Sequence, residues 1–280
     1  MLLVKKSPDA RDGRIRTAVS LDDLTFNQSY YGYTAHRQES APDLVKYLCL
    51  IISSKIALWH ALITSGGFGV ERDPVEKFVI QEAPLLPFET LTAEDRACAT
   101  ALFAELADAE TPEVWQKVDE WVGSLFDLTP DDIQVISDTL AFALPFGKNR
   151  IAAQAPVGAL ARAAFSERLE AELAPWGENF GRQFTITAVE APPLSPWQFI
   201  AVAAGAGERK ALADRPLMEA MRHMADTMSA SELLYWDEQL DCLFVGRLNQ
   251  ARYWSVSQAR LVARRIIWAN VDFLSGRRTA

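Results

Sequence analysis

The stretch of residues 44–59 limits most strongly what this chain can fold into. Leu44, Tyr47, Leu48, Ile51, Ile52, Ile56 and Trp59 recur at intervals of three and four, with Lys55 among them. That spacing gathers them on one broad face of an α-helix, and a face that wide has to be buried. Pro42-Asp43 suits the entry, because proline fits a first helical turn and an acid favours the positive end of the helix dipole. Ser65-Gly66-Gly67-Phe68-Gly69 ends the run. With 49% of its 280 residues hydrophobic, the chain has enough apolar surface to build a sizeable core.

That core is expected to be one of a water-exposed protein. The best apolar run, residues 48–63, is interrupted by Ser53, Ser54, Lys55 and His60, so no membrane partner is expected. The N-terminus places Lys5 and Lys6 after its apolar residues, the reverse of a secretory signal. Cys49, Cys98 and Cys242 are odd in number and far apart. They read as reduced thiols of a cytoplasmic protein.

Around the core helix the pattern is α+β. Residues 2–5, 14–19 and 27–34 read as strands, separated by Ser7-Pro8-Asp9 and Asp12-Gly13 turn signals. Residues 75–81 read as another strand, closed by Pro84 and Pro87. Thr92, Thr111-Pro112 and Thr129-Pro130 are helix entries followed by acids, and a fourth helix is expected over 156–173. Trp176-Gly177-Glu178-Asn179 reads as a boundary. Beyond it come strands at 183–190, 197–203 and 243–247, a helix around 216–228 and an amphipathic final helix over 257–273. The expected organisation is a small mixed α/β part over residues 1–90, a helical middle over 91–175, and a small α+β part over 176–280 with a basic last helix.

Charge is uneven. The net charge is −9, unlike a simple nucleic-acid glove, which is basic overall. Between residues 82 and 138 the acids face only Arg96 and Lys117. The tail instead carries Arg247, Arg252, Arg260, Arg264, Arg265, Arg277 and Arg278 against Asp272. Basic ends around an acidic middle allow one face to attract phosphate.

One group of motifs resembles a known family. Tyr30-Tyr31-Gly32 precedes a helix containing Leu48-Cys49-Leu50-Ile51-Ile52-Ser53-Ser54-Lys55. A Ser65-Gly66-Gly67 loop follows, then Val75-Glu76-Lys77-Phe78-Val79-Ile80 and a closing Pro84-Leu85-Leu86-Pro87. This order is similar to the target-recognition region of N6-adenine-specific DNA methyltransferases of restriction-modification and phage-defence systems. Residues 243–255, with Arg252-Tyr253-Trp254, look like the tails that follow such regions. The resemblance implies a DNA-recognition role without catalysis, because the family's catalytic signatures are missing. The Pro192-Pro193 pair lies between Ala191 and Leu194, where the family's tetrad has a polar residue before the prolines and an aromatic one after them. Gly66-Gly67 follows a helix, whereas a cofactor loop follows a strand. No cofactor is expected on the chain itself. The resemblance assigns S-adenosylmethionine to a catalytic partner or a missing domain.

The resemblance makes Tyr30, Tyr31, Tyr33, Arg37, Lys55, Arg72, Arg252, Arg260 and Arg264 the candidate contacts to double-stranded DNA. Rings and guanidinium groups meet bases and backbone in such sites. Each has a plainer alternative. The tyrosines, with His36, fit a half-buried strand. Lys55 fits a side chain snorkelling at a helix edge, the glycine loop fits a helix cap, and the last helix's arginines fit a solvated face. His36, His60 and His223 lack metal-ligand spacing. The expected partners are duplex DNA and a methyltransferase catalytic subunit or another defence-system protein. The alternative function is a protein-interaction or scaffold subunit that uses the acidic helical middle.

Overall fold

A computed structural model describes the chain except residues 23, 36–38, 70–73, 190–194, 206–218, 220, 224–226, 228–229, 238–239 and 277–280. The fold is α+β: helices segregate from two small antiparallel sheets. The chain divides into two compact units, Met1–Arg150 and Ile151–Ala280.

In the first unit, β1 (Leu2–Lys5), β2 (Thr17–Val19) and β3 (Tyr30–Tyr33) form a sheet of order β2-β1-β3. Leu2 and Val4 point to the core, and α1 (Ala41–Ser53) packs against β1 and β2. The apolar run is two helices. Ser54 adopts an extended backbone, its hydroxyl donates to the Ile51 carbonyl (2.7 Å) and accepts from Ala57 N–H (3.2 Å), and α2 (Lys55–Thr64) leaves at 62° to α1. One serine therefore closes one helix and caps the next, satisfying backbone groups that a kink would orphan. Among the described residues no single helix is long and apolar enough to cross a membrane. The bent α1–α2 pair buries Leu50, Ile51, Ile56 and Leu58 in this unit's core.

Residues 75–81 form the short helix α3 (Lys77–Gln81), in place of the expected strand. Val79, Ile80 and Ala83 are buried while Lys77 and Phe78 are exposed, a one-sided helical pattern that so short an apolar run does not distinguish from a strand. The entries at Thr92, Thr111 and Thr129 open α4 (Ala93–Asp108), α5 (Pro112–Leu125) and α6 (Pro130–Ala143). Thr92 with Asp95, and Thr129 with Asp132, form reciprocal capping boxes. These helices share a core with α1 and α2, so most of the helical middle belongs to the first unit.

A buried ion pair joins the first unit's layers. Arg14, 3% exposed, donates to Asp119 Oδ1 (3.0 Å) and Oδ2 (2.6 Å) and to the Ser53 carbonyl (3.0 Å). Its guanidinium lies 4.4 Å from the centre of the Trp115 ring. Asp119 also accepts from the Lys55 backbone N–H (2.9 Å), serving the first turn of α2. Beside it, the Thr17 hydroxyl contacts Cys49 Sγ (2.9 Å) and Ser53 Oγ (2.7 Å). Burial pushes the Cys49 thiol from 9.0 up to about 11, against the opposing Thr17 hydrogen bond. An acid whose folded value is raised contributes stability below its unfolded value and loses it as pH climbs toward the folded one. Stability is therefore expected to fall more steeply from pH 9 to 11 in the wild-type chain than in Cys49→Ala, measured as urea midpoints across that range. Identical slopes would place the thiol in contact with water.

The second unit begins with α7 (Gly147–Gln154), which spans the division, and α8 (Ala159–Asn179). The boundary expected at residues 176–179 is the last turn of α8. A Cβ on Gly177 would lie 2.5 Å from the Arg182 carbonyl oxygen, so glycine there lets the chain double back tightly into the sheet. β4 (Phe184–Val189), β5 (Trp197–Ala204), β6 (Glu232–Asp237) and β7 (Cys242–Leu248) pair antiparallel in the order β4-β5-β7-β6. β5 and β7 are buried on both faces. Ile200, Val202, Leu243 and Val245 meet α8 and α9 (Val256–Ala269), while Phe199, Ala201 and Phe244 pack with Met221. The last expected helix ends at Ala269, and α10 (Val271–Ser275) follows. Much of the helix expected at 216–228 lies outside the described residues.

Candidate nucleic-acid interface

The tyrosines expected to meet DNA sit on β3, an open edge of the first sheet. Side chains directly across an antiparallel pair share a face. Tyr31 is paired with Val4 and Tyr33 with Leu2, so both turn toward the core. Tyr30, paired with Lys5, lies on the other face with Gly32 and Leu3. The Phe26 ring covers Gly32 so closely that a Cβ there would lie 2.4 Å from it.

Two lysines complete this edge. Lys6 Nζ lies 4.8 Å from the centre of the Tyr31 ring, and Lys77 Nζ lies 5.9 Å from that of Tyr33. The segment entering α3 is fastened here, with Val75 N–H donating to the Lys6 carbonyl (2.8 Å) and the Tyr31 hydroxyl donating to the Val75 carbonyl (3.2 Å). Burial pushes both phenols above their usual value, with Glu76 adding to the effect on Tyr31. Lys6 and Lys77 thus sit against Tyr31 and Tyr33 on one face of the edge, while Lys5 lies with Tyr30 on the other. The chemistry matches a phosphate backbone met by ammonium groups, with an aromatic face beside it.

The other candidates are dispersed. Lys55 is exposed at the start of α2, its ammonium 3.9 Å from Asp119. In the glycine loop, Ser65 Oγ accepts from the N–H groups of Gly67 (3.3 Å) and Phe68 (2.8 Å), and its hydroxyl donates to Glu76. Those amides close a turn over buried Phe68. Arg37 and Arg72 lie outside the described residues. Arg252, Arg260 and Arg264 belong to the second unit. Arg252 stacks on Tyr253 (4.8 Å), Arg260 lies 3.5 Å from Glu172, and Arg264 is exposed.

Sequence reading missed Lys77 because residues 75–81 read as a strand, whereas Lys77 opens the helix α3. It also missed the second unit's buried ion pair, since β6 carries no turn signal that isolates it. Glu232 and Arg247 lie directly opposite each other on β6 and β7 and form an ion pair of 2.9 Å, with side chains 9% and 5% exposed. Among the described residues no group of three or more His, Cys, Asp or Glu side chains is placed to hold a metal ion. Gly66 and Gly67 follow α2 rather than a strand, so they do not fit an S-adenosylmethionine loop. No protein-family model matches the chain, and neither the curated proteins nor the solved structures contain a detectable match.

Proposed function

We propose that the chain is the DNA-recognition portion of an N6-adenine DNA methyltransferase or restriction-modification system. It acts in the cytoplasm, is non-catalytic by itself, and works with a catalytic subunit that supplies S-adenosylmethionine chemistry. The observation carrying this reading is the lysine–tyrosine edge. The segment whose motifs resemble the recognition region, residues 30–87, is also tied together by its own side chains. The Tyr31 hydroxyl holds the Val75 carbonyl and the Tyr47 hydroxyl holds the Leu86 carbonyl (3.0 Å). Lys6 and Lys77 are seated on its rings. A net charge of −9 opposes DNA at long range, so affinity has to come from this local cluster and from the partner.

The test is a mobility-shift series with duplex DNA at low salt, with and without an adenine methyltransferase catalytic subunit that lacks its recognition region. The chain alone is expected to bind weakly, and the pair tightly and with sequence preference. No shift in either arm overturns the reading.

A further inference from the structure

The acidic helices of the first unit carry a feature that DNA recognition leaves unused. From residue 93 to 143 there are twelve acidic residues and two basic ones, Arg96 and Lys117. Between α2, α5 and α6 lies an open cleft of about 610 Å³ with an apolar floor that includes Ile56, Leu128, Ile133 and Ile136. Gly123 sets its depth: a Cβ there would lie 3.2 Å from Ile133 Cδ1, so α5 and α6 approach without a side chain to fill the floor. Ile133 is 40% exposed, although Ile136 and Leu140 on the same helix are buried. Carboxylates flank the floor. Glu120 lines the cleft and is exposed, as is Asp127 next to the lining Leu128. The lining cation, Lys55, is exposed 3.9 Å from Asp119, a carboxylate that Arg14 already pairs.

We propose that this cleft docks a basic, apolar-anchored helix of a partner protein. Charge complementarity selects that occupant. Two or three aliphatic side chains at helical spacing would cover the floor, while flanking Lys or Arg would meet Glu120 and Asp127. Nucleic acid is repelled by the same carboxylates, and an acidic helix would place like charges together. The inference stands apart from the proposed DNA contact, which uses β1, β3 and α3.

The experiment uses the full chain and two fluorescent peptides of roughly four helical turns. One carries leucine and lysine at helical spacing, and its twin carries leucine and glutamate. The lysine peptide is expected to bind at least about tenfold more tightly than the twin. Ile133→Asp decides between cleft docking and general attraction, because it adds negative charge while spoiling the floor. It is expected to weaken binding of the lysine peptide at least about tenfold, with an unchanged circular dichroism spectrum. Glu120→Lys, at an exposed position, is expected to weaken it several-fold. The proposal is overturned if Ile133→Asp binds the lysine peptide as well as the wild type does, or if neither peptide binds. Self-association of the chain that competes with the peptide would also overturn it, since a second copy would then be the occupant.

Discussion

Asp119→Ala is expected to destabilise the first unit by about 3–5 kcal/mol, the usual cost of leaving a buried charge without its partner. Arg14 would keep only the Ser53 carbonyl and the Trp115 face, and the first turn of α2 would lose the acceptor for Lys55 N–H. A unit of this size has a total stability of only about 5–15 kcal/mol, so the urea midpoint should fall sharply or the unit should unfold outright. Asp119→Asn keeps an acceptor for Lys55 N–H and should cost less. The double replacement Arg14→Met with Asp119→Leu should cost far less than Asp119→Ala alone, because it removes the charge together with its partner. If Asp119→Ala shifts stability by less than about 1 kcal/mol, water reaches Arg14 and the pair behaves as a surface salt bridge.

The second unit offers the matching case. Burial pulls the Arg247 guanidinium down to about 10, with Glu232 pushing it back up, so it remains charged at neutral pH. Its other partners are the Tyr253 carbonyl (2.5 Å) and Gln258 Oε1 (2.9 Å), which accept hydrogen bonds without neutralising the charge. Glu232→Ala is therefore expected to cost about 3–5 kcal/mol. It also releases Arg265, whose guanidinium meets the other Glu232 oxygen at 2.5 Å. Glu232→Gln should cost less. A denaturation curve in which Glu232→Ala matches the wild type would mean that Arg247 is neutralised by something other than Glu232.

The elements that were legible in the sequence are those whose signals are local. Thr92 and Thr129 announce their helices because capping is decided within four residues, and both form the boxes their spacing implies. Strands β1, β4, β5 and β7 follow from apolar content and flanking turns. What was not legible depends on distant partners. The run 44–59 carries one helical period throughout, and the break at Ser54 becomes intelligible only when Asp119, 65 positions away, is seen holding the next residue's N–H. The α3 segment is too short for its period to decide between helix and strand. β6 is recognised through β7, and Arg14 and Arg247 look like surface arginines until their carboxylates are found. The candidate interface was legible as tyrosines on a strand, but its lysines were not, because the cation–aromatic contacts join β1 and α3 to β3 across the fold.

That interface is the central claim, and a salt titration of DNA binding tests it most directly. Fluorescence anisotropy of a duplex with the catalytic subunit present would give the observed affinity between about 50 and 200 mM salt. If Lys6 and Lys77 meet phosphates, Lys6→Glu with Lys77→Glu should weaken binding of every duplex and flatten the log–log salt slope by about 2, leaving circular dichroism unchanged. A double variant that binds with the wild-type affinity and slope would contradict the account.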